Sequence, residues 1–262
     1  MHSSIKGYLS AIRRMQIVGG MGDPFTISLP LLEYTLRGVK LRQAKKQTTR
    51  PRTRLPMTPS LMKKLRSSWE KDSQSHNNIM LWAACCMAFF GFLRAGEITV
   101  PSLKEYDPDG HLSVGDVALD SQTDPTVVRV HIKESKTDPF RKGVYVYLGR
   151  TENELCPVAA ISAFLVVRGT EAGPFFRFAS GAPLSRELFV LRVREALEPW
   201  GIDEKKYSGH SFRIGAATAA AAAGVEDSLI KTLGRWESSA YQTYVRVPRD
   251  QLASISKRLS TA

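Results

Sequence analysis

The sequence predicts a mainly α-helical protein with one small antiparallel β-sheet, which places it in the α+β fold class. Apolar residues recur at helical spacing towards both ends of the chain. Between residues 112 and 149, three short segments alternate apolar and polar residues and are separated by Asp, Pro and Gly, a pattern typical of antiparallel strands. The chain has 262 residues, of which 43% are hydrophobic, so it is long enough to bury a substantial core.

The first 45 residues predict two helices, over residues 4–18 and 29–44, with Gly-Gly and "GDPF" between them. Two helices alone make a thin domain, so we expect residues 1–45 to be part of a helical bundle. The stretch 46–57 is basic and contains Thr and Pro, and it predicts a linker. Residues 58–262 are then expected to form a second, larger domain.

The second domain opens with a predicted helix in which Thr58 is the N-cap and Pro59 is the first helical residue. The apolar run 79–93 follows, and it is too short to cross a bilayer comfortably. We expect it to be a buried helix that closes at Gly91 and not a membrane segment. Three strands and a further helix are predicted over residues 112–119, 126–133, 143–149 and 156–169.

The net charge of +12 lies almost entirely in the first 70 residues, which hold fourteen Lys and Arg against three acids. Residues 40–54 carry seven basic residues and no acid. Such a run is typical of a solvated linker or a localisation signal, and equally of a surface that binds nucleic acid, because basic side chains release its counterions. The candidate nucleic-acid-binding residues are Lys40, Arg42, Lys45, Lys46, Arg50, Arg52 and Arg54.

The stretch "GHSFRIGAATAAAAAGVEDSLIKTLGRWESSAYQTYVR", residues 209–246, collects side chains that can handle a phosphate. His210 and Arg213 stand three residues apart at the start of a predicted helix. They therefore share one face, where Arg213 is placed for a bidentate hold on a phosphate. The N-terminus of a helix also favours an anion. An HxxR pair taken alone, however, is more typical of a structural contact.

Three other candidate groups would act on such a phosphate. Tyr244 is a candidate nucleophile, with Tyr241 as its rival, because a phenolate that cations stabilise can attack a phosphodiester. Arg94 directly follows the buried helix, and Glu97 is placed to orient its guanidinium. Lys136, in "SKTD", is best placed to reach out from the hairpin tip between the second and third predicted strands.

The order of these motifs resembles that of the tyrosine recombinase (phage-integrase-type) family. The wording of "SKTD", "HSFRIGAAT", "LGRW" and "YVR" is most similar to the recombinases of DIRS-type retrotransposons and cryptons. The resemblance covers roughly residues 58–250 as the catalytic domain and residues 1–45 as part of the helical core-binding domain that clamps DNA. It implies the DNA breaking-and-rejoining catalytic fold, preceded by a partial core-binding domain.

The resemblance also implies a role for each motif residue. Arg94 and Arg213 would clamp the non-bridging oxygens of the scissile phosphate, and Lys136 would protonate the departing 5′-hydroxyl. His210 would assist proton transfer at the nucleophile. Tyr244 would be that nucleophile and would form a 3′-phosphotyrosyl link.

Trp236 would take the family's second His/Trp position, by packing or by a hydrogen bond from its indole N–H. It lies eight residues before Tyr244, however, whereas the family spacing is commonly nine, which Arg235 satisfies. The sequence leaves the choice between Trp236 and Arg235 open. The core-binding domain also departs from the family in being short, because the family's bundle usually has four or more helices.

Together these features predict a site-specific recombinase or integrase that serves a mobile element and needs no metal or other cofactor, since the covalent phosphodiester conserves the energy of the broken bond. The expected partners are double-stranded DNA and further copies of the chain, as a tetramer on DNA to which residues 248–262 contribute a docking helix. No membrane partner is expected, and the location is expected to be intracellular, and nuclear in a eukaryote. The alternatives are a catalytically inactive, domesticated DNA-binding remnant and a type IB topoisomerase.

Overall fold

The computed structural model describes residues 2–46, 54–70, 72, 75–135, 138, 140 and 142–246. The chain divides into two compact units, Met1–Thr53 and Arg54–Ala262. The described helices are α1 His2–Val18, α2 Pro30–Lys46, α3 Pro59–Glu70, α4 His76–Phe90, α5 Ala95–Ile98, α6 Pro157–Arg168, α7 Arg186–Leu197, α8 Gly209–Ala222 and α9 Asp227–Leu233. The described strands, β1 Val117–Leu119, β2 Val127–Ile132 and β3 Val144–Gly149, form one antiparallel sheet in the order β1-β2-β3. The mainly α fold with a small antiparallel sheet is therefore confirmed.

The first unit consists of α1 and α2, which pack against each other and confirm the two predicted helices. In the loop between them, Asp23 accepts a hydrogen bond of 2.8 Å from Nε of Arg13. Several large apolar side chains remain exposed, among them Met15 at 73% and Leu31 at 81%. One pair of helices therefore leaves much of its own apolar surface uncovered. The domain boundaries at residues 45 and 57 stay a prediction.

The second unit begins with α3 at the predicted position, where Oγ1 of Thr58 accepts a hydrogen bond from the backbone N–H of Leu61 at 3.3 Å. Helix α4 lies at the centre of this unit, packs against α6 and α8, and is buried on nearly every side. A helix that is apolar all round is expected to be buried in this way, and Gly91 caps it as predicted. In the described parts of the chain, no helix is long and apolar enough to span a membrane.

The sheet covers one side of this core. Its inner face carries Val128, Val130 and Leu148, all of which are buried, and it packs against α6. The outer face carries Arg129 paired with Tyr147, because successive side chains of a strand point to opposite faces. A sheet with one buried face and one solvent-exposed face thus explains the alternating segments of the sequence.

Strand β1 is shorter than the sequence predicts. The prediction placed a strand over residues 112–119, whereas Val114–Asp116 form a 3₁₀ turn and pairing starts at Val117. The carboxylate of Asp116 accepts hydrogen bonds from the backbone N–H, at 2.7 Å, and the hydroxyl of Ser113. These local bonds compete with the strand ladder, as short polar side chains commonly do.

Glycine is required in α8 where the helix meets residue 57. A Cβ on Gly215 would lie 1.8 Å from the carbonyl oxygen of Met57. We expect Gly215→Ala to lower the free energy of unfolding by about 1–3 kcal/mol, because overpacking outweighs the gain in helix propensity. Urea denaturation measures this change.

The matched control is Gly115→Ala. A Cβ at this exposed glycine would have no neighbour within 4 Å, so we expect a change below about 0.5 kcal/mol. Equal effects of the two substitutions would contradict the close contact between α8 and residue 57.

Candidate active site

Four segments of the second unit meet around the N-terminus of α8. They are the turn between α4 and α5, the first turn of α8, the turn that follows α9, and the 3₁₀ turn Ser239–Thr243 with the residue after it. These segments bring together five of the six predicted catalytic residues: Arg94, His210, Arg213, Trp236 and Tyr244. The sixth, Lys136, lies outside the described residues.

The first turn of α8 fixes His210 and Arg213 on one face, as their spacing predicts. Ser208 caps the helix, since its hydroxyl accepts a hydrogen bond from the backbone N–H of His210 at 3.3 Å. Gly209 allows α8 to approach α5, because a Cβ there would lie 2.3 Å from the Cβ of Ala95. The same close approach brings the histidine and arginine next to Arg94.

His210 and Tyr244 contact each other directly. Nε2 of His210 lies 3.0 Å from the phenol oxygen of Tyr244, which is hydrogen-bond distance. Part of the His210 ring faces solvent, yet burial of the rest, with the positive charges of Arg213 and Arg94, lowers its pKa. A neutral imidazole at neutral pH can accept the proton of the phenol, so the pair is suited to activate Tyr244 as a nucleophile.

Tyr241, the alternative nucleophile, bonds to a different partner. The hydroxyl of Tyr241 donates a hydrogen bond to Oδ2 of Asp227 at 2.7 Å, and this bond raises the pKa of Tyr241. A raised pKa opposes the phenolate that an attack on phosphorus requires. The geometry therefore favours Tyr244 over Tyr241.

Arg213 is completely buried. Its terminal nitrogens donate to two backbone carbonyl oxygens, that of Phe92 at 2.6 Å and that of Gly234. The centre of its guanidinium lies 4.4 Å from the ring centroid of Trp236 and 5.9 Å from that of Tyr244. Burial, followed by the nearby charges of Arg94 and Arg235, lowers the pKa of Arg213 to about 9.

The predicted bidentate hold of Arg213 on a phosphate stays a prediction, because the guanidinium is enclosed in this arrangement. Each terminal nitrogen donates to one carbonyl oxygen, and the buried Nε has no acceptor in the described part of the chain. A phosphate can reach this guanidinium only after the rings of Trp236 and Tyr244, or the carbonyl groups, have shifted.

Glu97 joins two further guanidinium groups. Its Oε1 accepts from Nη1 of Arg94 at 2.8 Å, and its Oε2 accepts from Nη2 of Arg235 at 2.8 Å. The carboxylate is nearly buried, with 4% of the side chain exposed. The predicted contact of Glu97 with Arg94 is confirmed, whereas the contact with Arg235 is one that sequence reasoning missed. The only signal for it was the nine-residue spacing from Arg235 to Tyr244.

Trp236 and Arg235 point in different directions from one turn. Arg235 has a positive φ of 53°, an uncommon conformation for a residue other than glycine. The Trp236 ring packs against Arg213, Tyr244 and Phe92, and its buried indole N–H has no acceptor among the described residues. Which of the two fills the second His/Trp position stays open, because both side chains belong to the cluster.

The predicted DNA-binding residues are only partly described. Lys40, Arg42 and Lys45 are exposed on α2, while Arg54 donates to the carbonyl oxygen of Lys205 at 2.8 Å. Arg50 and Arg52, like the predicted tail helix over 248–262, lie outside the described residues. Lys46 is the last residue of α2. Among the residues that the structure describes, no group of three or more His, Cys, Asp and Glu could hold a metal ion.

The fold, helices around a small antiparallel sheet, matches that of the catalytic domain of tyrosine recombinases. The XerA recombinase structure is similar, with 18% identity and a TM-score of 0.56 over 80% of this chain and 66% of that chain. XerH bound to its difH substrate has 15% identity and a TM-score of 0.56, over 79% of this chain and 52% of that one.

The Tn1549 transposon integrase in complex with circular intermediate DNA has 14% identity and a TM-score of 0.52, over 98% of this chain and 79% of that chain. No protein-family model matches the sequence, and no curated protein matches it. The chain spans about two thirds of XerA and about half of XerH. At these sequence identities, the similarity shows that the fold is shared.

The buried carboxylate of Glu97 is expected to stabilise the fold. We expect Glu97→Gln to lower the free energy of unfolding by about 3 kcal/mol, because removing one partner leaves two guanidinium groups without their counter-charge. Chemical denaturation of the wild type and the variant measures the difference.

The Arg192–Glu195 pair supplies the control. It has the same i,i+3 spacing and a distance of 2.9 Å, but both side chains are 47% exposed, so Glu195→Gln should cost less than about 1 kcal/mol. A loss as small in Glu97→Gln would contradict a structural role for the buried carboxylate.

The lowered pKa of His210 predicts a pH dependence of stability. The ordinary histidine pKa is about 6.5, and the folded protein binds this proton less readily than the unfolded chain does. The contribution of neutral His210 is therefore complete above about pH 6.5 and is lost as the pH falls from there towards the folded pKa.

We expect the unfolding free energy of the wild type to fall more steeply than that of His210→Gln between pH 7 and pH 5. Denaturation at several pH values measures both slopes. Identical slopes would show that His210 keeps an ordinary pKa in the folded protein.

Proposed function

We propose that the chain is a tyrosine recombinase that breaks and rejoins double-stranded DNA through a 3′-phosphotyrosyl link at Tyr244. The observation that carries the proposal is the 3.0 Å contact between Nε2 of His210 and the phenol oxygen of Tyr244, beside the guanidinium of Arg213. A nucleophile, a neutral base and a cation thus lie together, and an attack on a phosphodiester needs all three.

The proposed reaction begins when His210 takes the phenol proton. The phenolate oxygen of Tyr244 attacks phosphorus, the bond from phosphorus to the 5′-oxygen breaks, and that oxygen takes up a proton. The family resemblance assigns delivery of this proton to Lys136. The reverse attack by a 5′-hydroxyl restores the DNA and releases the tyrosine, so the phosphodiester energy is kept in the covalent link.

The charge of the site supports this chemistry. Arg94, Arg213 and Arg235 surround one carboxylate, that of Glu97. The surplus of positive charge is suited to the negative charge that develops on the phosphate oxygens during the attack, and fixed cations in a buried site stabilise it strongly. Burial is the main cause of the lowered pKa of Arg213, and the charges of Arg94 and Arg235 add to it. A bound anion would relieve that repulsion.

The DNA partner is supported by the basic stretch 40–54 and by the exposure of Lys40, Arg42 and Lys45 on α2. Basic side chains of this kind track the phosphate backbone and give a salt-dependent affinity. The similar structures of XerH and the Tn1549 integrase were determined with DNA bound. The same proposal includes four further points: service to a mobile element, closeness to the DIRS and crypton recombinases, assembly as a tetramer and a nuclear location.

A catalytically inactive DNA-binding remnant is the second candidate. The observation that favours it is the enclosed guanidinium of Arg213, whose terminal nitrogens already bind backbone carbonyl oxygens. This candidate binds DNA in a salt-sensitive manner and forms no covalent link.

Covalent trapping distinguishes the two. The protein is incubated with a pool of nicked duplexes, in which the 5′-end released by cleavage diffuses away, and a denaturant-resistant protein–DNA adduct is sought. We expect the adduct with the wild type and none with Tyr244→Phe, because the phenol oxygen is the atom that becomes linked to phosphorus.

Tyr241→Phe is the matched control, and we expect it to keep the adduct because Tyr241 bonds to Asp227. An adduct that survives Tyr244→Phe and disappears with Tyr241→Phe would move the nucleophile to Tyr241. Salt-sensitive DNA binding without any adduct would favour the inactive remnant.

A further inference from the structure

We propose that Arg235 is a positioning residue of this site, which holds Glu97 so that Glu97 in turn holds Arg94 in place for the phosphate. The inference rests on the proposed function and deepens it. Arg235 contacts the carboxylate and not the position of the attack, so its effect on the reaction passes through two other side chains.

The first argument is the way in which the carboxylate is shared. Oε1 of Glu97 binds Nη1 of Arg94, and Oε2 binds both Nη2 of Arg235 and the backbone N–H of Arg94, each at 2.8 Å. Donors at both oxygens fix the plane of the carboxylate. Without Arg235, Oε2 would keep only the backbone N–H of Arg94, and the carboxylate that orients the Arg94 guanidinium would be less firmly held.

The second argument is the turn that carries Arg235. Three consecutive residues serve the site: the carbonyl oxygen of Gly234 binds Arg213, the Arg235 side chain binds Glu97, and the Trp236 ring packs on Arg213. The positive φ at Arg235 makes this divergence possible. A non-glycine residue keeps such a conformation only where its surroundings over-determine it, and here contacts of all three residues do so.

The third argument is that stability alone does not account for a charged residue here. The side chain of Arg235 is 14% exposed, burial lowers its pKa, and its buried Nε has no acceptor within the ranges that the structure describes. Buried ion pairs are often matched or exceeded in stability by apolar side chains of similar volume. Arg235 also lines an open pocket of about 540 Å³ between the start of β3 and the end of α9, so the residue lies at the edge of the core and not at its centre.

The kinetic test compares Arg235→Met, Arg94→Met and the double variant. The rate constant of adduct formation is measured in a single turnover with saturating nicked duplex, and DNA affinity is measured separately by fluorescence anisotropy. We expect Arg235→Met to lower the rate constant about 10²-fold, which is the scale of a small misplacement of a catalytic group. We expect the affinity to change by less than about twofold, because Arg235 is directed at Glu97.

The double variant is the decisive comparison, because residues that act through one another are not additive. If Arg235 works through Arg94, adding Arg235→Met to Arg94→Met causes no further loss of rate. Independent, multiplicative losses would overturn the proposal. Arg235→Lys keeps one donor for Glu97 and should restore part of the rate.

A second measurement needs no activity. NMR of the arginine side chains reports whether the terminal N–H groups of Arg94 are held or rotate freely. We expect them to be held in the wild type and in the control Arg192→Met, which removes the exposed partner of Glu195, and to be averaged in Arg235→Met. The amide spectrum of each variant shows whether it is folded, and Arg235→Leu, which also removes the donor to Glu97, replaces Arg235→Met if the latter is not.

The two proposals fail in different ways. If the wild type forms no adduct, the proposed function fails, and the NMR comparison alone decides whether Arg235 positions Arg94. Arg94 signals that remain unchanged in a folded Arg235 variant without a donor for Glu97 would overturn the inference, whatever the adduct assay gives.

Discussion

Arg213 joins the end of α4 to the turn after α9, because its two terminal nitrogens donate to the carbonyl oxygens of Phe92 and Gly234. A guanidinium without solvent contact is costly unless acceptors surround it. Here the backbone supplies the acceptors and Trp236 supplies a π face. The contact therefore fixes three separate segments of the chain around the first turn of α8, where His210 and Tyr244 meet.

The backbone is strained next to this contact. Among the described residues, the non-glycine positions with positive φ are Phe92, at 51°, and Arg235, at 53°. One of them carries a carbonyl oxygen that Arg213 binds, and the other follows the residue that carries the second. Left-handed conformations of this kind cost about 1–3 kcal/mol each and cluster where a structure holds functional groups in fixed places. The burial of Arg213 and the backbone strain at Phe92 and Arg235 are thus parts of one arrangement.

Much of the fold could be predicted from the sequence because its signals are local. Helical spacing located α1, α2 and α6, and the Thr58–Pro59 pair located the start of α3. The start of β1 was missed because Asp116 and Ser113 bond to each other within one turn. A hydrogen bond between residues three apart competes with strand pairing. The alternation of apolar and polar residues in the sequence gives no sign of such a bond.

The candidate site could be predicted only in part, and the reason is the same. The HxxR spacing placed His210 and Arg213 on one face, because a helix fixes neighbours three apart. The contact of Glu97 with Arg235 crosses 138 residues of sequence and depends on a left-handed turn, for which an arginine gives no signal. The acceptors of Arg213 are backbone groups, which every residue carries. Its enclosure could therefore not be inferred from residue types.

The enclosure of Arg213 affects the affinity with which a phosphate can bind there. With no solvent-accessible surface on its side chain, this guanidinium can meet a phosphate only in an arrangement in which a covering ring or carbonyl group has moved. A ligand that binds only such an open arrangement shows an apparent affinity reduced by the fraction of molecules that are open. Any phosphate affinity measured at Arg213 is thus the product of an intrinsic affinity and an opening equilibrium. Substitutions at Trp236, whose ring is part of the cover over Arg213, would alter the opening equilibrium.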